Sequence, residues 1–524
     1  MSDDSHLDLR DRAALLRALE GQTFDLLVIG GGITGAGIAR DAAMRGLSVA
    51  LIEARDFASG TSSRSSKMIH GGLRYLAQGD IAVVREAASE RKILRRIAPH
   101  LARQSWFVLP STSMATTTKL RTALWTFEKL GGVAREERHK VWKPAQLANH
   151  EPLMRREGLH AALAYPEYLT DDARLTLANI RAAKAHGALV MNYLAAAAIS
   201  GTAPCEVSCR STLEGAEDEC RIRARRVVNA AGPWVDEARR IEDPLAEAML
   251  VQSKGIHVVV PHERIPLRQT VVMTTPDKRS IFAVPRGAFT YLGTTDEFYP
   301  RAEYWPRVEQ SDVAYLFDTA RHALDVGALD NRDIVSVWAG LRPLVNQPGK
   351  SAKEISRKDE VWTGPCGMLS IAGGKLSAYR AMAERVVDQV VAEGGFAAQP
   401  CATMDEALPG GDAPAADLPG LDPVGAERLA RLYGSEAGAL LADGGNIAAE
   451  SRRAVLSEGA QRLEDYWVRR SGRAWFDAQS GLGALDQAAA VMAELLGWSA
   501  GRISAEIENC RSIDQASKRG LEPN

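Results

Sequence analysis

Residues 24–29 (FDLLVI) form a short, largely apolar run of strand length, followed at once by Gly30-x-Gly32-x-x-Gly35 and an alanine-rich stretch of helical character. A strand that is apolar on both faces belongs inside a parallel sheet covered on each side. In this glycine pattern the first glycine permits a tight turn and the second lets the backbone approach a pyrophosphate. The third allows close packing of helix on strand. The helix, from Ile33 to Arg45, then presents free N–H groups and the positive end of its dipole to phosphate. Residues 48–52 (SVALI) read as a second strand ending in Glu53, 18 residues after Gly35, where a carboxylate accepts hydrogen bonds from ribose hydroxyls. The unit predicts an α/β, Rossmann-like dinucleotide-binding domain. The loop alone does not choose between NAD and FAD.

The remainder of the 524 residues is too long for one core, so more than one domain is expected. Residues 1–22 read as a polar, acidic tail resembling neither a signal nor a transit peptide. Residues 23–400 carry alternating helical and β-rich stretches, among them 226–230, 256–260 and 290–293. Within them, residues 81–97 place Arg and Glu at helical spacing, as on a solvated helix face. Residues 401–422 are rich in Pro, Gly and Ala and read as a linker; residues 423–524 read as a helical domain. The 64 Lys and Arg nearly cancel the 66 Asp and Glu, which argues against a nucleic-acid partner. The six cysteines form no metal-ligand spacing, so free thiols and no metal site are expected. No uncharged apolar run reaches the roughly 20 residues of a membrane span.

Residues 61–76 (TSSRSSKMIHGGLRYL) supply the choice of cofactor. With VNAAGPWV (228–235), KGIHVVVP (254–261), LGTTDEFY (292–299), AGLRPL (339–344) and SIAGGKLSAYR (370–380), they closely resemble the signature segments of the FAD-dependent, respiratory glycerol-3-phosphate dehydrogenases. That family lies within the D-amino-acid-oxidase-like flavoproteins. EDYWVRR (464–470) and LGWS (496–499) resemble its helical cap. The resemblance implies an FAD-binding domain interleaved with a β-rich substrate-binding domain, followed by a C-terminal helical domain. Two departures stand out. The usual GGKLTTYR reads GGKLSAYR, with Ala378 for a hydroxyl residue, and the usual GSHIVVP reads GIHVVVP, with Ile256 for serine.

Hydride removal from C2 of glycerol 3-phosphate needs a phosphate clamp, a fixed C2–H and an acceptor for the hydroxyl proton. Guanidinium groups suit phosphate because their charge is permanent and their donors are paired in a plane. The resemblance nominates Arg74 and Arg342. Lys375, after Gly373-Gly374, is placed to face the flavin or the substrate oxygens and to stabilise negative charge there. His70 is the first candidate for the proton acceptor, and His257 the second, or a ligand for a substrate hydroxyl. Tyr75 and Thr295 are expected as hydrogen-bonding neighbours of the substrate. Cofactor contacts are expected from Gly30, Gly32, Gly35, Glu53, Thr61, Ser62, His70, Gly71, Gly373, Gly374 and Lys375.

Residues 116–130 (TTTKLRTALWTFEKL) place Leu120, Leu124 and Phe127 at helical spacing, with Trp125 and the cations Lys119, Arg121 and Lys129 around them. Such a helix can sit in a membrane interface or pack on the protein's own core. The resemblance implies peripheral attachment to the inner face of the cell membrane, with electrons passed to quinone. The expected partners are the substrate, a membrane quinone, a membrane surface and a second copy of the chain in a homodimer. Two alternatives remain: an oxidase that uses oxygen and releases hydrogen peroxide, and a related amine- or amino-acid-oxidising flavoenzyme.

Overall fold

The computed structural model describes residues 5–70, 81–131, 133–215, 218–275, 277, 279–347, 349, 355, 358–414 and 417–521, with side chains of 81–84, 130 and 131 left aside. Its frame is two sheets. Thr23–Ile29 lies near the centre of the first, between Glu219–Asn229 and Val49–Ile52, with Leu369–Ala372 and Leu189–Met191 beyond them; all five strands are parallel. Leu26, Leu27 and Val28 are wholly inaccessible, as a doubly covered parallel strand requires. The helix Ile33–Met44 packs on this sheet through Ala36, Ala39 and Ala42, small residues that let the two backbones approach. Tyr379 and Ala383 of the helix Tyr379–Gly394 close over Gly37.

The second, ten-stranded sheet is organised around Leu250–Pro261, which pairs antiparallel with Ser336–Val345 on one side and with Phe289–Gly293 and Glu297–Tyr299 on the other. Alternation along this strand sorts its residues by face. Ile256, Val258 and Val260 enter the sheet's own core, whereas Val259 packs under the C-terminal helices. Ile256 is therefore a core residue; its side chain makes up part of the sheet interior and not of a binding surface. The C-terminal helices cover the other face of this sheet through Trp467, Trp475 and Leu485, packed on Tyr291 and Trp338. Charge also ties them to the first sheet's layer. Arg174 of the helix Asp172–Ala185 makes a paired guanidinium–carboxylate contact to Glu458 at 2.6 and 2.8 Å, both side chains buried.

Three segments are more firmly held than their composition suggests. The N-terminal stretch buries Leu7 and Leu9 and forms the helix Arg12–Glu20, so it is not a free tail. Within 401–414, Leu408 is fully buried and donates its N–H to the Ile97 carbonyl at 2.7 Å; Arg40 donates to the Glu406 carbonyl. The helix Ile81–Ile97 is not simply a solvated charged face. Glu90 pairs with Arg380, and Arg91 with Glu167 at 2.7 Å, all four buried. Helical charge spacing cannot tell an exposed ion pair from one whose partner arrives from another element.

Candidate active site

One cavity of about 1480 Å³ runs between the two sheets and joins the glycine loop to the second sheet. At its first end Gly30 adopts φ +113°, and a Cβ there would stand 2.6 Å from the Ala230 carbonyl oxygen. At Gly35 a Cβ would come within 1.9 Å of the Gly30 oxygen. Gly32 caps the helix and leaves room beside Ser62, whose hydroxyl accepts the Ile33 N–H at 2.9 Å. Glu53 lines the same end and accepts the N–H groups of Gly31 and Arg55; burial raises its pKa against those donors. Thr61 lines the cavity too, its hydroxyl donating to the Leu341 carbonyl and so tying this loop to the second sheet.

His70, Arg342 and Lys375 line the same cavity. His70 follows the short strand Met68–Ile69 and faces Phe282 at a ring separation of 6.4 Å. Lys375 follows Gly373 and Gly374 at φ +82° and +78°. A Cβ on Gly374 would meet the Met382 sulfur at 2.4 Å, so the turn that presents the lysine needs glycine on both counts. The Arg342 guanidinium lies across Gly255, where a Cβ would come within 2.4 Å of it. It donates to the Thr294 hydroxyl at 3.1 Å and to the Thr295 carbonyl and Asp296 carboxylate at 3.3 Å. These contacts fix the fork at one edge of the cavity.

Two expected site residues stand behind the wall. Thr295 is buried, and its hydroxyl accepts the Ile256 N–H at 3.1 Å, so Thr294 and Asp296 face the cavity in its place. The three residues form the turn between the strands Phe289–Gly293 and Glu297–Tyr299, where no strand period sets which side chain faces the cavity. His257 is likewise buried, stacked on Trp338 at 4.7 Å, with Nε2 at 2.9 Å from the Ser66 hydroxyl; Ser66 lines the cavity. Gly293 makes room for the ring, since a Cβ there would fall 2.0 Å from it. Gly71, Arg74 and Tyr75 lie outside the described residues. Ser377 lines the cavity and Ala378 packs against the core of the first sheet, so the departure at Ala378, like that at Ile256, falls away from the cavity wall.

Burial, then the cations Arg342 and Lys67, hold the His257 imidazole well below its ordinary value of 6.5. The folded chain keeps it neutral while the unfolded chain protonates it below that pH. Stability present above pH 6.5 is therefore lost as pH falls toward the folded value, by up to about 1.4 kcal/mol per pH unit from this group. A His257→Asn variant is expected to lose unfolding free energy less steeply than the parent from pH 6.5 to roughly 5, measured by denaturant titration.

Residues without a motif also wall the cavity: Arg55, Glu167, Arg279 and Tyr304. Arg279 donates to the Asp296 carbonyl at 3.1 Å, adding a second cation beside Arg342.

A family model described as FAD dependent oxidoreductase matches residues 25–380. The chain belongs to the FAD-dependent oxidoreductase family. Residues 401–503 of this oxidoreductase match a second model, the C-terminal domain of alpha-glycerophosphate oxidase. Over 550 aligned residues, 98% of each chain, it is 38% identical to the aerobic glycerol-3-phosphate dehydrogenase of Staphylococcus aureus. Its fold superposes with a TM-score of 0.80 on the glycerol-3-phosphate dehydrogenase from Bacillus halodurans complexed with FAD, at 32% identity and 99% coverage of both. The L-alpha-glycerophosphate oxidase from Mycoplasma pneumoniae shares the fold, with a TM-score of 0.57 at 16% identity over 74% of this chain and 99% of that one.

The cavity suits FAD on its own terms. Its first end is a glycine cradle that side chains would fill, at a helix N-terminus, with a carboxylate at the end of the second strand. The glycine loop, Glu53, Thr61 and Ser62 are the residues that would hold the adenosine and pyrophosphate, and Gly373–Lys375 the flavin end.

Proposed function

We propose that this oxidoreductase converts sn-glycerol 3-phosphate to dihydroxyacetone phosphate and delivers the electrons to a membrane quinone. The observation that carries the reading is a single cavity that unites the glycine cradle with His70, Lys375 and Arg342. The identity of the substrate rests on the long, even similarity to the aerobic dehydrogenase. Bound FAD supplies an acceptor for the hydride leaving C2. The chain's own residues do the rest. Arg342, its fork braced by Thr294 and Asp296, takes the phosphate. Arg74 is a second phosphate ligand and Tyr75 a hydrogen-bonding neighbour in this reading. Lys375 holds negative charge at the reacting end, and His70 accepts the C2 hydroxyl proton, with Ser66 and the neutral His257 behind it fixing the wall.

Delivery to a membrane fits the helix Met114–Gly131. Leu124 and Phe127 are buried, so the apolar stripe packs on the body and is not the lipid-facing surface. What faces outward is Met114, Trp125 at 56% exposure, and the cations Lys119, Arg121 and Lys129. An exposed tryptophan among cations is the chemistry of an anionic headgroup region. Leu120 of the same helix lines the cavity beside Phe107 and Phe282, an apolar flank suited to a lipophilic acceptor. Among the described residues no helix is long and apolar enough to cross a membrane. Reversing the charge of Lys119, Arg121 and Lys129 is expected to shift the protein from the membrane pellet to the supernatant, each cation contributing roughly 1 kcal/mol at an anionic surface.

The match of residues 401–503 to an oxidase's C-terminal domain favours a second reading, in which oxygen takes the electrons. Turnover over a panel of phosphorylated polyols, with a soluble quinone or with oxygen alone, separates the two. Quinone-dependent turnover selective for glycerol 3-phosphate supports the proposal. Equal peroxide formation without quinone selects the oxidase, and indifference to glycerol 3-phosphate overturns the substrate.

A further inference from the structure

The segment that follows the strand Glu297–Tyr299 leaves the second sheet and crosses to the glycine-loop end of the cavity, where Tyr304 forms part of the wall. Its ring lies under the guanidinium of Arg55, whose carbon stands 4.0 Å from the ring centre. Arg55 is exposed, lines the cavity, and comes two residues after Glu53. A cation on an aromatic face at that distance is an attractive pair, and here it spans the cavity end at which the ribose carboxylate stands.

Tyr304 is fixed from behind. Arg64 donates to its backbone carbonyl and lies 4.8 Å from its ring and 3.9 Å from that of Trp305. Its hydroxyl donates to Glu464 at 3.0 Å and accepts from Arg469 at 3.2 Å, both in the C-terminal helical region. Arg469 is wholly buried and bridges Glu464, Asp465 and Asp56, the last at 2.5 Å. Asp56 lies three residues beyond Glu53 and is also paired with Arg470. The same buried network thus anchors both halves of the stack: Tyr304 through its hydroxyl, and the turn that carries Arg55 through Asp56. Buried ion pairs of this kind are worth little as net stability against an apolar core, but they fix geometry.

The geometry points to Arg55 and Tyr304 as a clamp over the adenosine end of the cofactor, latched by Glu464 and Arg469 of the C-terminal helices. This rests on the family's use of FAD and extends it, because it gives those helices a task at the cofactor: they hold the tyrosine that closes the cavity's first end. The glycine cradle contacts the pyrophosphate from one side, and the clamp limits escape from the other.

The test is the rate at which the holoenzyme releases FAD on dilution, followed by the rise in flavin fluorescence. Arg55→Ala and Tyr304→Ala are each expected to speed release by about threefold, the loss of one solvent-exposed cation–aromatic pair. Tyr304→Phe keeps the ring but cuts the latch, and is expected to fall between parent and Tyr304→Ala. Arg55→Lys restores a cation over the ring and with it most of the parent rate, which a purely structural role for Arg55 would not explain. Variants that release FAD at the parent rate overturn the clamp and leave the cofactor assignment standing. A parent that carries no FAD when purified overturns that assignment, and the clamp with it.

Discussion

Arg342→Ala is expected to lower kcat/KM for glycerol 3-phosphate by about three orders of magnitude, the equivalent of about 4 kcal/mol for a charged partner removed from a desolvated pair. The loss has two parts. In the proposed reading the substrate phosphate forfeits its planar donor pair, and Asp296, now 3.3 Å from the guanidinium, loses one of the groups that hold its charge at the edge of the same cavity. Arg342→Lys is expected to recover only part of the activity, because an ammonium restores charge without the fork. Bound flavin should remain at one per chain in both variants, since the arginine lies on the second sheet, away from the glycine cradle. Dye-linked kinetics together with the flavin absorbance of the purified proteins check both statements.

Gly35→Ala is expected to yield protein without flavin, destabilised by roughly 3 kcal/mol through overpacking. The added Cβ would stand 1.9 Å from the Gly30 carbonyl oxygen, a distance that forces helix and strand apart just where the cradle is built. Gly46 provides the comparison. It has φ +89°, but a Cβ added there would meet nothing within 4 Å, so Gly46→Ala carries only the backbone term of about 1–2 kcal/mol and keeps its flavin. The flavin-to-protein ratio and the thermal midpoint of the two variants separate space from strain.

The β-α-β unit was legible because each of its parts is local: an apolar run, three spaced glycines, small helix residues, and an acid at the end of the next strand. Arg342 and Lys375 were legible only as members of family-like segments. Nothing in their neighbours' periodicity says that they share a cavity with residues 30–35. Thr295 and His257 show the limit of motif reading. Both lie in the right segments, but the Thr295 hydroxyl is turned to the Ile256 N–H and Ser66 stands between His257 and the cavity. Arg55 and Tyr304 had no sequence signal at all, because their contact joins positions far apart in the chain and no spacing rule encodes it. The Pro/Gly/Ala-rich stretch after residue 400 misled for a similar reason. Composition reports the lack of periodic structure, whereas its docking comes from Leu408 and Glu406 meeting distant helices.

The proposed reaction is tested most directly by anaerobic mixing of the purified holoenzyme with sn-glycerol 3-phosphate. Rapid bleaching of the oxidised flavin band, with dihydroxyacetone phosphate formed in equal amount and none of this with glycerol, is the predicted result. A flavin band that stays unchanged with glycerol 3-phosphate but bleaches with an amine or an unphosphorylated alcohol would contradict it.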